Sequence, residues 1–160
     1  MPLSIIVAVA DNNAIGRNGD LAFHISADLR RFKQLTMGRP VIMGRKTFES
    51  LPKGALPGRR NIVITRNKNW SAPDVEIASS LKEAINISGD DAFIIGGGQI
   101  YAAALPLAKA LHVTRIFETV ADADTFFPDF ENEWNLCHAE PIEVDQKTGI
   151  SYQFRLYQPK

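Results

Sequence analysis

Three short segments carry the residue types that hold anions. Met43-Gly44-Arg45-Lys46-Thr47 ends an apolar run in a glycine turn followed by two cations and a hydroxyl. Ile64-Thr65-Arg66 ends a second run in a hydroxyl and a cation. Ile95-Gly96-Gly97-Gly98-Gln99-Ile100-Tyr101 ends a third in residues without side chains, where a ligand can approach the backbone and a starting helix turns its free N–H groups outward. Together they suit a molecule with several phosphates. None is a standard nucleotide motif: Arg39 stands where a P-loop needs its first glycine, and Tyr101 where the Rossmann fingerprint has its third. Any one segment alone is equally a tight turn beside solvated surface charges.

The second chemical feature is a carboxylate in an apolar stripe. With Ser26 as N-cap, a helix over residues 26–36 directs Ile25, Leu29, Phe32 and Leu35 inward and Arg30, Arg31, Lys33 and Gln34 to water. Asp28 lies four residues before Phe32 and seven before Leu35, so it shares the inward face. A charge buried there is costly unless something pairs or uses it. An acid in a first helical turn also complements the helix dipole. The spacing therefore leaves two roles open, dipole partner or proton handler beside the anion-binding segments.

Other chemistries find little support. His24, His112 and His138 lack metal-ligand spacing, no Asp/Glu/His cluster suggests a metal, and no Gly-x-Ser-x-Gly elbow occurs. The aromatics are not interleaved with basic residues as single-stranded nucleic-acid binders require.

The elements that must position these residues follow from the apolar pattern. Runs at residues 3–10, 40–43, 61–64, 75–78, 92–95 and 111–118 are mostly rich in Val and Ile and read as strands buried on both faces. Helices are expected over 26–36, 46–51, 80–88, with a Ser80-x-x-Glu83 capping box and a stop at Gly89, and 98–107. This alternation predicts an α/β fold of three layers, a mostly parallel central sheet with helices on both faces. Residues 134–144 and 151–157, separated by a polar turn, predict a C-terminal antiparallel hairpin at the sheet edge. In open sheets of this kind ligands bind at the carboxyl ends of strands, where all three anion-binding segments fall.

Composition agrees with one globular domain over residues 1–160. The 18 Lys plus Arg balance 18 Asp plus Glu, which argues against a nucleic-acid coat or a polybasic membrane binder. Residues 3–10 have no cationic leader and are too short for a signal peptide, and no apolar stretch approaches a membrane span. The single cysteine, Cys137, points to a reducing, cytoplasmic setting.

In order along the chain stand Ile15-Gly16, Ser26-Ala27-Asp28-Leu29 with Phe32-Lys33, Pro40 through Ser50, Leu56-Pro57-Gly58-Arg59-Arg60-Asn61, Ile94 through Gly98 with Ile100-Tyr101, Thr114, and Asp124-Thr125-Phe126-Phe127-Pro128. With these, the sequence from about Leu3 to Leu156 resembles a bacterial dihydrofolate reductase. The resemblance implies NADPH-dependent reduction of 7,8-dihydrofolate to 5,6,7,8-tetrahydrofolate, with hydride delivered to C6 and a proton to N5, by a monomer open to antifolates such as trimethoprim. Two rivals are a pyrimidine reductase of riboflavin synthesis and a non-catalytic nucleotide-binding module; Asp28 and Arg59 favour folate over the first.

What the resemblance implies for the site can be written residue by residue. Asp28 would bind the pterin, with Thr114 bridging to it. Ile6, Val7, Ala8, Leu29, Phe32, Leu51 and Ile95 would line the pterin and benzoyl pocket. Arg59 would pair with the substrate's glutamate carboxylate, assisted at the rim by Lys33 and Lys53. Cofactor phosphates would fall on Gly44, Arg45, Lys46, Thr47 and the segment Gly96, Gly97, Gly98, Gln99, Ile100, Tyr101. Ile64, Thr65 and Arg66 would lie near the 2′-phosphate with Arg45, and Ala8, Ile15 and Gly16 near the nicotinamide. Gly96-Gly97 is expected to be cis. The sequence departs from the family at Leu21-Ala22-Phe23, where many members have Leu-Pro-Trp beside the nicotinamide; Phe23 keeps the aromatic bulk but loses an indole N–H, and Ala22 frees the backbone. Leu21 and Phe23 thus join Asp28 and Thr114 around the reacting atoms, and Ala123, where a glycine is common, falls in the loop that packs against them.

Overall fold

In the computed structural model of the chain, residues 3–17, 20–89 and 91–160 are described, the side chains of residues 20 and 21 excepted. In chain order the elements are β1 (Ser4–Ala10), β2 (Ala14–Arg17), β3 (Asp20–Leu21), α1 (Ser26–Thr36), β4 (Val41–Gly44), α2 (Arg45–Ser50), β5 (Asn61–Ile64), β6 (Val75–Ala78), α3 (Leu81–Ser88), β7 (Phe93–Gly96), α4 (Gly98–Ala104), β8 (Ala110–Ile116), β9 (Thr125–Phe126), β10 (Trp134–Ala139), β11 (Glu143–Val144) and β12 (Ser151–Pro159).

The main sheet runs β10-β12-β8-β1-β7-β4-β5-β6, with β11 paired to β12. From β8 to β6 every pairing is parallel, while β12 runs antiparallel to β8, β10 and β11. Two cores result, one on each face. On one, Ile5, Val7 and Val9 of β1 pack with Ala84 of α3 and Tyr101 and Ala104 of α4. On the other, Ile6, Val41, Met43 and Val63 pack with Phe48 of α2 and Phe32 and Leu35 of α1. The three-layer α/β expectation is met, with β7, β4 and β5 side by side, so the three anion-binding segments leave adjacent strands in one direction.

Several local expectations need correction. Ile25, in extended backbone, takes the N-cap of α1 without a side-chain hydrogen bond, and Ser26 is already helical. α2 starts and stops one residue earlier than expected. α4 ends at Ala104 rather than residue 107: Leu105 keeps helical backbone, but Pro106 has no N–H with which to continue the ladder. β6 is not buried on both faces: it pairs only with β5, and Glu76 and Ile77 are exposed. The strand expected over residues 134–144 bulges between Leu136 and His138, ends at Ala139 and resumes as β11 after Pro141, which lacks a backbone donor. A small sheet, β3-β2-β9, was not foreshadowed, because its strands are only two to four residues long.

Only half of the capping box on α3 forms. Ser80 Oγ accepts from Glu83 N–H at 3.1 Å, but the Glu83 carboxylate accepts from Ser79 Oγ instead. At the other end Gly89 has φ of 75°, and Arg60 donates to the terminal carbonyls of Ile87 and Ser88 while forking onto Glu76.

Candidate active site

The inward carboxylate is where the helical spacing puts it. Asp28 stands in the first turn of α1, and Thr114 of β8 donates its hydroxyl hydrogen to Asp28 Oδ1 at 2.5 Å. Thr114 is itself buried and lies opposite Ala8 of β1. Burial raises the Asp28 carboxyl above its ordinary value, opposed by the Thr114 hydrogen bond and the Arg31 charge. An acid so placed can hold a neutral or cationic heterocycle through a paired hydrogen bond and shift protons at its edge.

Around it, Ile6, Phe32, Leu51 and Ile95 join the α1–α2 face of the core, as a flat apolar ligand requires. Leu29 departs from the expected inward stripe, with its side chain half exposed. Alternation along β1 sends Val7 into the opposite core with Tyr101, away from the expected pterin wall, and Ile15, expected near the nicotinamide, packs in that same core. Ala8 packs instead beside Ile25 and Phe23.

Arg59 is fixed by three neighbours. Its Nε donates to the Pro57 carbonyl at 2.9 Å and its Nη1 to Thr36 Oγ1 at 3.0 Å, tying the 56–60 loop to the end of α1. Partial burial lowers the guanidinium pKa below its ordinary value. Beneath it the buried Asn61 accepts from Leu56 N–H and donates to the carbonyls of Leu56 and Arg59. Thr36 and Asn61 were missed as site residues; a polar residue ending an apolar helix stripe and one opening a buried strand were the available signals. Lys33 and Lys53 are both exposed, consistent with a rim.

The glycine-ended strands converge. The Gly96–Gly97 peptide is cis as expected. A Cβ built on Gly97 would come within 3.3 Å of Thr47 Oγ1, one on Gly44 within 3.5 Å of Ile100, and one on Gly98 within 3.0 Å of Thr125. The turns after β4 and β7 therefore interlock, and β9 covers the start of α4. Both α2 and α4 begin after a glycine with no side-chain cap, leaving their first N–H groups for an anion. Arg45 makes a loose ion pair with Glu49 at 3.7 Å, whereas Lys46 and Arg66 make none among the described residues. The Thr65 hydroxyl accepts from Asn67 N–H. The set of Arg45, Lys46, Thr47, Thr65 and Arg66 fits a polyphosphate cofactor. Gln99 opens α4 beside Gly98, and Ile64 and Ile100 back the turns from the core. Tyr101 instead turns inward and donates to the Ile6 carbonyl at 2.9 Å, and burial raises its phenol pKa.

Gly16 pairs with Thr125 and with Leu21, joining β2 to β9 and β3. The Leu21 side chain lies outside the described residues. Ala22 is buried with Ala10, Ala14 and Val120, and Phe23 and Ala123 pack on the same cluster, so the two departures from the family pattern share one contact region. Among the described residues no group of His, Cys, Asp or Glu could hold a metal.

The sequence matches the family profile described as dihydrofolate reductase over residues 2–159. It is 45% identical over 157 residues to dihydrofolate reductase type 3 of Salmonella typhimurium, covering 96% of each chain. It is 41% identical to the Bacillus subtilis dihydrofolate reductase, covering 99% of this chain and 95% of that one. The structure resembles that of the Enterococcus faecalis dihydrofolate reductase complexed with NADP(H) and RAB-propyl, with a TM-score of 0.90 at 30% identity over 99% of this chain and 96% of the other.

Proposed function

The chain belongs to the dihydrofolate reductase family and is an NADPH-dependent oxidoreductase that reduces dihydrofolate to tetrahydrofolate, and we propose that Asp28 is the carboxylate around which this site is organised. The observation that carries the assignment is a half-buried carboxylate on α1, hydrogen-bonded to Thr114 and on the side of the helix that carries Phe32 and Leu35 into an apolar core. It holds the pterin through its ring nitrogen and exocyclic amino group and biases the proton at N5. Ile6, Phe32, Leu51 and Ile95 pack on the ring and benzoyl group, and Arg59 takes the glutamate carboxylate. NADPH, when bound, supplies the hydride that C6 receives. Arg45, Lys46, Thr47, Thr65, Arg66 and the open N–H groups of α2 and α4 hold its phosphates, while Ala8, Gly16 and Phe23 border the nicotinamide side. Leu21, at the end of β3, stays in this proposal beside them.

The protein works as one domain over residues 1–160, a monomer of the cytoplasm, and antifolates such as trimethoprim compete for the Asp28 pocket. Among the described residues no helix is long and apolar enough to cross a membrane.

The test is loss of the reduced-nicotinamide absorbance band with NADPH and dihydrofolate together. Asp28→Asn should slow hydride transfer most at high pH, where free substrate is unprotonated. A pH-independent or negligible loss would remove Asp28 from the mechanism.

A further inference from the structure

Arg31 follows Asp28 by three residues on α1, a spacing that sets their side chains side by side on the helix surface. The apolar pattern assigned it to water. Instead its guanidinium donates to Glu140 Oε2 at 2.7 Å and lies 4.3 Å from the centroid of the Phe154 ring, leaving the side chain 21% exposed. Phe154 is in turn the register partner of Thr114, the residue that donates to Asp28. A closed circuit results, from Asp28 to Thr114, across to Phe154, up to Arg31 and back along one helical turn.

Apolar packing already seats the start of α1 on β12, through Ile25 and Ala27 against Tyr152 and Phe154, and Arg31 adds a directed polar contact one turn further on. α1 has no side-chain cap at its start, and Leu29, between Asp28 and Arg31, is half exposed and adds little grip. The planar guanidinium suits this place, since one face can lie on a ring while an edge N–H meets a carboxylate. From this geometry we propose that Arg31 is a positioning residue for the Asp28 carboxylate, locking the helix that carries it onto the strand paired with its hydroxyl partner. The proposal rests on Asp28 being the carboxylate that takes the substrate.

The groups that face Asp28 electrically are few. Arg31 on its own helix favours the ionised form. Tyr101 on α4 and Tyr152 on β12 are raised mainly by burial and in part by the Asp28 charge, and Arg30 opposes the rise at Tyr152. His112 on β8, two residues before Thr114 on the same strand face, is held below its ordinary value by burial and by the Arg31 charge, and its Nδ1 is buried without a hydrogen-bond partner. Arg31 is thus the charge that acts on both Asp28 and His112, so its removal should register in the Asp28 titration.

The experiment is the pH profile of hydride transfer in the whole enzyme, with NADPH and dihydrofolate, for the parent, Arg31→Met, Arg31→Lys, Glu140→Gln and Asp28→Asn. Arg31→Met should move the apparent pKa upward by about half a unit or more and lower kcat/KM for dihydrofolate several-fold, with KM for NADPH unchanged. Arg31→Lys should restore most of the profile. If Arg31→Met does not fold, Glu140→Gln carries the test, with a loss of about threefold or more in kcat/KM for dihydrofolate but not for NADPH, comparable to freeing one partner of a charge-assisted hydrogen bond. A lower Tm with an unchanged profile in Arg31→Met, or equal losses toward both ligands in Glu140→Gln, would reduce Arg31 to a structural clasp and overturn the proposal. If Asp28→Asn keeps the parent profile, the Asp28 assignment fails; if it flattens the profile while Arg31→Met leaves it in place, only the positioning role fails.

Discussion

At Asp28 the fold accepts a cost that its own stability would avoid. Burial raises the carboxyl pKa, so the folded chain binds that proton more tightly than the unfolded chain does. The Asp28 contribution to stability is therefore most favourable below the unfolded carboxyl value and is lost as pH rises through the window up to the raised folded value. Asp28→Asn removes this titration, and at neutral pH it should raise Tm by about 2–4 °C, the shift expected for roughly 1 kcal/mol in a chain of this size. The gain should vanish as pH falls through the ordinary carboxylate range; an equal gain at every pH would trace it to packing instead. Helical spacing was enough to turn Asp28 inward, but it sent Leu29 inward too and Arg31 outward. The second error has a clear cause: the residues that meet Arg31 belong to the C-terminal strand system and stand more than a hundred positions away, at Glu140 and Phe154.

Among the elements, the regular ones were the legible ones. Runs of Val and Ile marked β1, β4, β5, β7 and β8 to within a residue or two at most boundaries, and Ser80 and Gly89 marked the ends of α3. The β3-β2-β9 sheet and the loop holding Arg59 were not legible, since their shape comes from contacts that leave no period in the sequence. In that loop Asn61 replaces a backbone ladder by making three side-chain hydrogen bonds to residues 56 and 59. Asn61→Ala should cost about 1–3 kcal/mol, as expected when buried backbone groups lose their partners. Because the loop sets the Arg59 fork, KM for dihydrofolate should rise several-fold, measured by steady-state kinetics, with KM for NADPH little changed. A variant that is destabilised with an unaltered KM would separate the loop from substrate binding.

For the whole molecule, zero net charge conceals a division. Residues 1–70 hold 12 Lys plus Arg against 4 Asp plus Glu, and residues 71–160 hold 6 against 14. Folding matches much of this across the two parts, through Arg17–Asp122, Arg31–Glu140, Arg39–Asp91 and Arg60–Glu76. Arg45 keeps only its loose contact to Glu49, and Lys46 and Arg66 make no ion pair among the described residues. The basic excess is thus spent elsewhere and left open at the proposed phosphate site. KM for NADPH should rise several-fold as salt goes from about 0.01 to about 1 M and the Debye length shrinks from about 30 to about 3 Å, with a smaller rise for NADH; a flat response would deny these cations a role. One further consequence belongs to the place of β12 between β8 and β10. Until residues 151–159 leave the ribosome, the strand bearing Thr114 has an open side and Arg31 has no ring to rest on. A nascent chain can assemble the parallel strands and their phosphate-facing turns early, but its acid pocket matures only as translation of this region ends.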